Sequence, residues 1–395
     1  MRVARSSLCP AIVVAILGVG SAGAGSLSDV LEPTVDPVQE VLAKPFVDEL
    51  QRTISRGADF TATATTPGFV YKYNPDLNAF ERASTTLGPA FLERAETVGP
   101  GRADIGITLL YADFQDKDGD DLDGLEESFL VRTAGAFSGG ATAIYDSFDL
   151  ETFGAYLSGT YGLTEQLDVN VLVPAFYTTL DVRKRTRAEG ATTRSATADD
   201  DALGLGDVQL RGKLQTPEIG GIPTAVGLAV RFPTGEEEDF QGIGDYTVTP
   251  SFIVSKAVAR LDYHGSLGFE FNADDMERSR FQYGAGVSWA ATDWLTANLD
   301  FLGNSQLQDD DISEVVPVAR SSFSDVPGDI TLKAQEGGKT EVLTSIDRQD
   351  VLDLAVGLKF NPFGKGVFFA SIIVPLNQDG VRPDFIPAGG FEISF

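Results

Sequence analysis

Beyond residue 24 the chain has no cysteine. Its one cysteine, Cys9, lies inside an export signal. Arg2 and Arg5 form the positive start, Ala11-Ile12-Val13-Val14-Ala15-Ile16-Leu17 the apolar run, and Ala22-Gly23-Ala24 a small-residue cleavage site before Gly25. A lipoprotein signal would place the cysteine at the end of the apolar run, whereas Cys9 stands at its start. Removal of residues 1–24 therefore excludes both a disulfide framework and a CxxC metal site. An exported protein without disulfides must be stabilised by size, packing or closure of its sheet.

Basic charge is also scarce. The sequence has 30 Lys and Arg against 58 Asp and Glu, a net charge of −28. Loss of Arg2 and Arg5 leaves 28 against 58, or −30. Nucleic acid is excluded as a partner, because phosphate binding needs a basic surface. The balance suits acidic loops at a membrane surface bridged by divalent cations; disorder or plain solubility would also account for it. Long apolar runs are missing too. The signal's run falls short of the roughly 20 residues a spanning helix needs, and nothing later is more apolar. If the mature protein spans a membrane, it must do so as a closed barrel, the other structure that satisfies its own backbone.

What is present from Gly101 onward is a period of two. Val208, Leu210 and Leu214 alternate with Asp207, Gln209, Arg211 and Lys213; Leu261, Tyr263, Leu267, Phe269 and Phe271 alternate with Asp262, His264, Ser266 and Glu270. Twelve such segments are predicted: 101–114, 147–162, 165–183, 205–216, 222–233, 245–257, 260–272, 279–291, 293–303, 350–360, 366–376 and 386–395. Each reaches the roughly 9–11 residues a tilted strand needs to cross a bilayer. An even count suits an antiparallel bacterial barrel, and the connections alternate strictly between short and longer, as periplasmic turns and external loops do. Tyr161, Tyr177, Trp289 and Trp294 fall near strand ends, where an interfacial girdle would sit. Phe391, Ile393 and Phe395 alternate to the very end of the chain, resembling the insertion signal read by the outer-membrane assembly machinery.

The region before the barrel divides in two. In 25–66, Asp36-Pro37 predicts a helix start, with Val38, Leu42, Leu50 and Ile54 as an apolar stripe broken at Pro45 and stopped near Gly57. This segment is expected to be periplasmic, a plug, or a tail with a short helix. Residues 67–100, where Phe69, Tyr71 and Tyr73 alternate with Val70 and Lys72, supply either a lumen plug or extra wall strands. The plug is the expected outcome, because extra strands would upset the even count and the loop alternation.

Several short motifs, in order, resemble a family of outer-membrane barrels named for the MetA-pathway of phenol degradation: Gly88-Pro89-Ala90-Phe91-Leu92-Glu93-Arg94-Ala95, Gly101-Arg102-Ala103-Asp104-Ile105-Gly106, Tyr161-Gly162-Leu163-Thr164, Leu203-Gly204-Leu205-Gly206-Asp207, Arg231-Phe232-Pro233-Thr234-Gly235-Glu236 and Gly242-Ile243-Gly244. The resemblance covers about residues 67–395. It implies a transporter-like barrel, and it supplies no catalytic residues.

The candidate chemistry is sparse. Asp116, Asp118, Asp120 and Glu127 stand at calcium-loop positions, but Asp121 occupies the place where the turn wants glycine and no helices flank the loop; a solvated acidic loop competes with calcium binding. No other cofactor is expected. Asp207, Arg211, Lys213, Arg231, Asp262 and His264 are assigned to the lumen face, as are Glu270, Arg280, Asp300, Asp353, Lys359 and Glu392. Both charge signs occur there, so cross-barrel pairs that brace the wall or narrow a pore are expected rather than a ring of one sign. Asp262, His264 and Ser266 share a face at His-x-Ser spacing, which a lipid hydrolase could use, but alternation turns them away from lipid.

The sequence thus predicts an all-β, antiparallel up-and-down transmembrane barrel of about twelve strands over 101–395. It predicts an outer-membrane location, lipid and lipopolysaccharide as surroundings, and the assembly machinery engaging Phe395. It is not read as an enzyme. The leading function is a passive channel for small molecules, hydrophobic or aromatic ones among them; the alternative is a non-transporting structural or surface-binding barrel, and a lipid hydrolase is a distant third.

Overall fold

The computed structural model describes residues 26–33, 40–43, 47–51, 54, 71–74, 79–82, 84–132, 138–188, 194–324, 326, 328, 330–362, 364 and 366–395. Twelve antiparallel strands form the wall. They are β1 (Ala103–Lys117), β2 (Ser138–Gly162), β3 (Leu167–Ala188), β4 (Val208–Ile219), β5 (Ile222–Phe232), β6 (Thr247–Val258), β7 (Leu261–Asn272), β8 (Arg280–Thr292), β9 (Leu295–Gln306), β10 (Asp350–Phe360), β11 (Gly366–Pro375) and β12 (Ile386–Ser394). Each pairs with the next. The ring closes where β12 pairs with β1 from Ala388↔Leu110 to Ser394↔Asp104. Closure leaves the wall no free edge, the condition for strands to stand in lipid.

The predicted alternation sets which face meets lipid. Leu210, Leu214, Leu267, Leu299, Val356 and Ile372 are exposed, whereas Lys213, Asp262, Asp300, Asp353 and Lys359 are buried inside. Tyr161, Trp289 and Trp294 are about half exposed, at 47%, 52% and 54%, near the short-turn end. The turns at that end are tight: Gly220-Gly221 has φ of 60° and 77°, the left-handed pair that a two-residue hairpin requires. Long connections occupy the opposite end. An exposed apolar belt, a polar interior and asymmetric loops define an outer-membrane barrel, with the short turns periplasmic and the long loops external.

The external loops hold more sheet than expected. β2 and β3 extend to 138–162 and 167–188, and the segment expected as a loop at 184–204 contains a strand, Arg194–Leu205, paired with the upper half of β3. Buried Val182, Lys184 and Thr186 alternate with exposed Arg183, Arg185 and Arg187. The period of two thus continues above the lipid, where charged outer residues disguise it. Glu126–Arg132 likewise pairs with the start of β2. Asp310–Val316, Thr331–Gln335 and Lys339–Ile346 form a separate three-stranded sheet inside the expected 304–349 loop.

The N-terminal segment differs most from expectation. The helix start at Asp36-Pro37 lies outside the described residues. Around Leu42, where a helical stripe was predicted, Glu40–Ala43 is a strand paired with Glu126–Arg132. Helical residues occur at Leu27–Leu31 and at 47–51. They sit at the outer mouth rather than in the periplasm: Leu27, Val30, Leu31, Val47, Leu50 and Ile54 pack with Phe114, Phe129, Tyr145, Leu180 and Phe240. The apolar spacing was real, but an open sheet edge and an apolar mouth decided how it was used.

Candidate functional site

The site is the lumen, and among the described residues the stretch 84–102 runs along its inner wall. This stretch has almost no regular structure, so its backbone N–H groups need partners from outside. Wall carboxylates and hydroxyls supply them. Asp300 on β9 accepts from Ala90 N at 3.1 Å and Phe91 N at 2.8 Å. Asp168 on β3 accepts from Val98 N at 3.1 Å, Thr296 from Leu87 N at 2.9 Å and Ser255 from Ala95 N at 3.0 Å. Side chains complete the docking. Arg94, 1% exposed, donates to Asp262 on β7 and to Thr86 Oγ1. Glu93 pairs with Arg211 at 2.5 Å, and Lys213 donates to the carbonyls of Arg94 and Glu96.

Packing is fitted to the same segment. Leu92 lies against Gly284 and Gly286 of β8, whose missing side chains make the space it fills. Phe91, Leu92, Tyr156, Phe176 and Leu302 form an apolar patch within the polar lumen. Beside it is a cavity of about 70 Å³ lined by Phe91, Leu92, Ile253, Tyr283 and Leu302, with Glu93, Arg211, Ser266, Gln282 and Asn304 as its polar groups.

The twelve residues assigned to the lumen all turn inward and are buried or half-buried. Four of them hold the plug: Arg211, Lys213, Asp262 and Asp300. Four pair within the wall and its loops: Asp207 with Arg231 at 4.0 Å, Lys359 with Glu392 at 3.5 Å. Asp353 engages Arg382, a residue outside the assigned set. Glu270 accepts from Gln282, and Arg280 stands opposite it in the ladder. His264 Nε2 and Ser288 Oγ lie 3.1 Å apart. The spacing 262-264-266 therefore does not build a hydrolytic triad here: Asp262 is taken by Arg94, and the hydroxyl beside His264 belongs to Ser288, not Ser266.

Asp207 gathers three of the sequence motifs. Its carboxylate accepts from Gly235 N at 3.0 Å and Ile243 N at 2.9 Å, and Thr234 Oγ1 donates to Gly206 O at 2.8 Å. The external loop 233–246 is thereby folded inward, with Phe240 and Ile243 buried. A side chain at Gly204 or Gly242 would strike Gln241 or Asp207. Above this loop, the buried Lys184 caps the short helix by donating to the carbonyls of Val30 and Glu32, and Tyr145 Oη donates to Leu31 O at 2.8 Å.

The acidic loop is arranged otherwise than the calcium spacing suggested. Asp118-Gly119, with φ of 53° and 87°, is a hairpin turn between Asp116-Lys117 and Asp120-Asp121. Asp118 accepts from Gly380 N, and Glu127 is paired with Lys117 at 2.9 Å. Among the described residues no three acidic, histidine or cysteine side chains are grouped to hold a metal. A hairpin sends alternate carboxylates to different sides, so ligand spacing along the chain is not ligand spacing in space.

Sequence reasoning missed Thr86, Asp168, Lys184 and Ser255. Asp168 and Ser255 lie on inward positions of predicted strands, where alternation alone would have found them; Lys184 falls just past the predicted end of its strand at residue 183.

Fold and lumen together define an outer-membrane β-barrel with residues 84–102 docked against its inner wall. The family model described as "Putative MetA-pathway of phenol degradation" matches residues 131–325, so the resemblance is shown over a narrower span than 67–395, one that takes in the motifs from Tyr161 to Gly244 and leaves out those at 88–95 and 101–106. No curated sequence matches the chain. Similar solved structures include an outer membrane channel from Pseudomonas putida F1, at 13% identity, TM-score 0.45, 76% of this chain and 98% of that one. A Pseudomonas aeruginosa FadL homologue has 10% identity, TM-score 0.33, and 85% and 96% coverage. The Ralstonia pickettii toluene transporter TbuX has 13% identity, TM-score 0.30, and 78% and 94% coverage.

Proposed function

We propose that the protein is a passive outer-membrane channel for small, largely apolar molecules, opened when its N-terminal segment is displaced from the lumen. The observation that carries this reading is how the plug is held. Residues 84–102 are fixed mainly by individual hydrogen bonds and ion pairs to the wall, each exchangeable for water, rather than by a continuous apolar core. Such contacts contribute modestly apiece and can be released in turn. The cavity of about 70 Å³ beside Phe91 and Leu92 is too small to hold an aromatic solute, so a solute would pass only once the plug has moved. The reading needs no cofactor and no chemical step. Outer-leaflet lipid and the assembly machinery at Phe395 are proposed as its partners.

A barrel lacking residues 26–100, reconstituted in planar bilayers, is expected to conduct more than the full-length chain, and liposomes carrying it to take up a monoaromatic solute faster. An inserted, heat-modifiable barrel with unchanged conductance and uptake would favour the non-transporting structural reading instead.

A further inference from the structure

The outer face of β2, β3 and the Arg194–Leu205 strand carries ordered charge above the lipid belt. The registers place Tyr111, Phe153, Tyr177 and Leu203 in one outward row, the tyrosines marking the membrane interface. The next row up is Asp113, Glu151, Thr179 and Asp201, followed by Asp149, Asp181 and Asp199. Beyond these acids β3 presents Arg183, Arg185 and Arg187, all exposed, while the intervening Lys184 and Thr186 are buried on the inner side. Arg185 is paired with Asp146 at 2.7 Å. Arg183 and Arg187 have no ion pair among the described residues.

The geometry points to a binding face for lipopolysaccharide, with the Arg183–Arg187 strip as the contact for phosphates on its core sugars. Height selects this ligand. At roughly 3.3 Å per residue and a strand tilt of about 40°, Arg183 stands roughly 15 Å above the tyrosine row. Phosphate groups of ordinary phospholipids lie near that row, where the first neighbours above are carboxylates that repel them. Lipopolysaccharide carries further phosphates on sugars above its lipid anchor, level with the arginines. Guanidinium groups bind such oxygens through paired, charge-assisted hydrogen bonds. The strip is three cations in a chain of net charge −28, placed where a general need for solubility does not explain them. This inference rests on the outer-membrane location alone and is independent of conduction.

Full-length protein in detergent with Mg²⁺ would be titrated with lipopolysaccharide, with the same material stripped of phosphate, and with phosphatidylglycerol. The Arg183→Glu/Arg187→Glu double variant is expected to bind lipopolysaccharide at least about tenfold more weakly, to lose the preference for the phosphorylated form, and to bind phosphatidylglycerol as the parent does. Heat-modifiability establishes that the variant is folded; Arg183→Gln/Arg187→Gln carries the same expectation if charge reversal prevents folding. Equal lipopolysaccharide affinity in parent and folded variant overturns the proposal. An equal loss of phosphatidylglycerol binding also overturns it, since the strip would then be a general anion surface.

Discussion

Gly284 shows how one residue on the wall controls the lumen. It is an ordinary strand position, yet a Cβ there would collide with the end of Leu92, and Phe301 O stands close behind. A Gly284→Val substitution must therefore push the plug rather than the backbone. Overpacking of this kind costs about 1–3 kcal/mol, which should fall on plug docking and leave the closed ladder intact. The expected result is more frequent channel opening in single-channel records, reversed when Leu92→Ala is added. Unchanged gating in the single variant would show that Leu92 does not anchor the plug. Gly284 was legible from sequence as an inward strand residue; its role was not, because it depends on a side chain 192 positions earlier in the chain.

At the scale of elements, two features can be tested separately. The first is strand register. Leu210 on β4 faces lipid and Gln209 faces the lumen, so Leu210→Arg should destabilise the inserted barrel by roughly 2–4 kcal/mol near the midplane, whereas Gln209→Arg should be tolerated. Urea unfolding in lipid vesicles would measure both, and equal effects would overturn the assigned faces.

The second is the N-terminal cap at the outer mouth. Glu49 is paired with Lys117 at 3.1 Å, and Asp239 accepts from Leu27 N at 3.0 Å. Burial pushes the carboxyls of Glu49 and Asp239 above their ordinary 4.5 and 3.8, against the pull of Lys117 on Glu49 and of the Leu27 N–H on Asp239. A carboxyl with a raised folded value takes up its proton first in the docked state. Docking therefore gains as pH falls through that raised value, and the gain is complete once pH reaches the ordinary one. Hydrogen exchange at residues 26–33 and 47–51, corrected for intrinsic rates, should slow on mild acidification. Faster exchange would mean that loss of the Lys117 pair outweighs the relief of burial.

For the whole molecule, closure is the decisive event. Phe395 follows the last strand directly and exchanges both backbone hydrogen bonds with Ala103, at 2.9 and 2.8 Å. Deleting Phe395 removes that closing pair along with the terminal aromatic. Less heat-modifiable protein should reach the outer membrane while export continues, as membrane fractionation would show. Normal insertion after the deletion would assign closure to the remaining pairs from Ser394↔Asp104 inward. The N-terminal segment belongs to this scale as well, because its described residues touch both ends: 26–33, 47–51 and 54 contribute to the outer mouth, and 84–102 run down to the periplasmic start of β1.

The sequence by itself determined the wall. A period of two depends only on the backbone and on which side chains tolerate lipid, so the twelve strands, their faces and the short turns could be read directly. The same rule placed Asp262, Asp300 and Lys359 inside. It did not say what they would meet there. Tertiary structure alone decided that Asp300 caps the backbone of Ala90 and Phe91, that Asp207 draws a loop inward, and that Glu40–Ala43 becomes a strand. Each of these is a contact across long chain separation, made because a buried N–H or charge must be satisfied by whatever the closed barrel brings near. Periodicity carries no information about such partners; enclosure does.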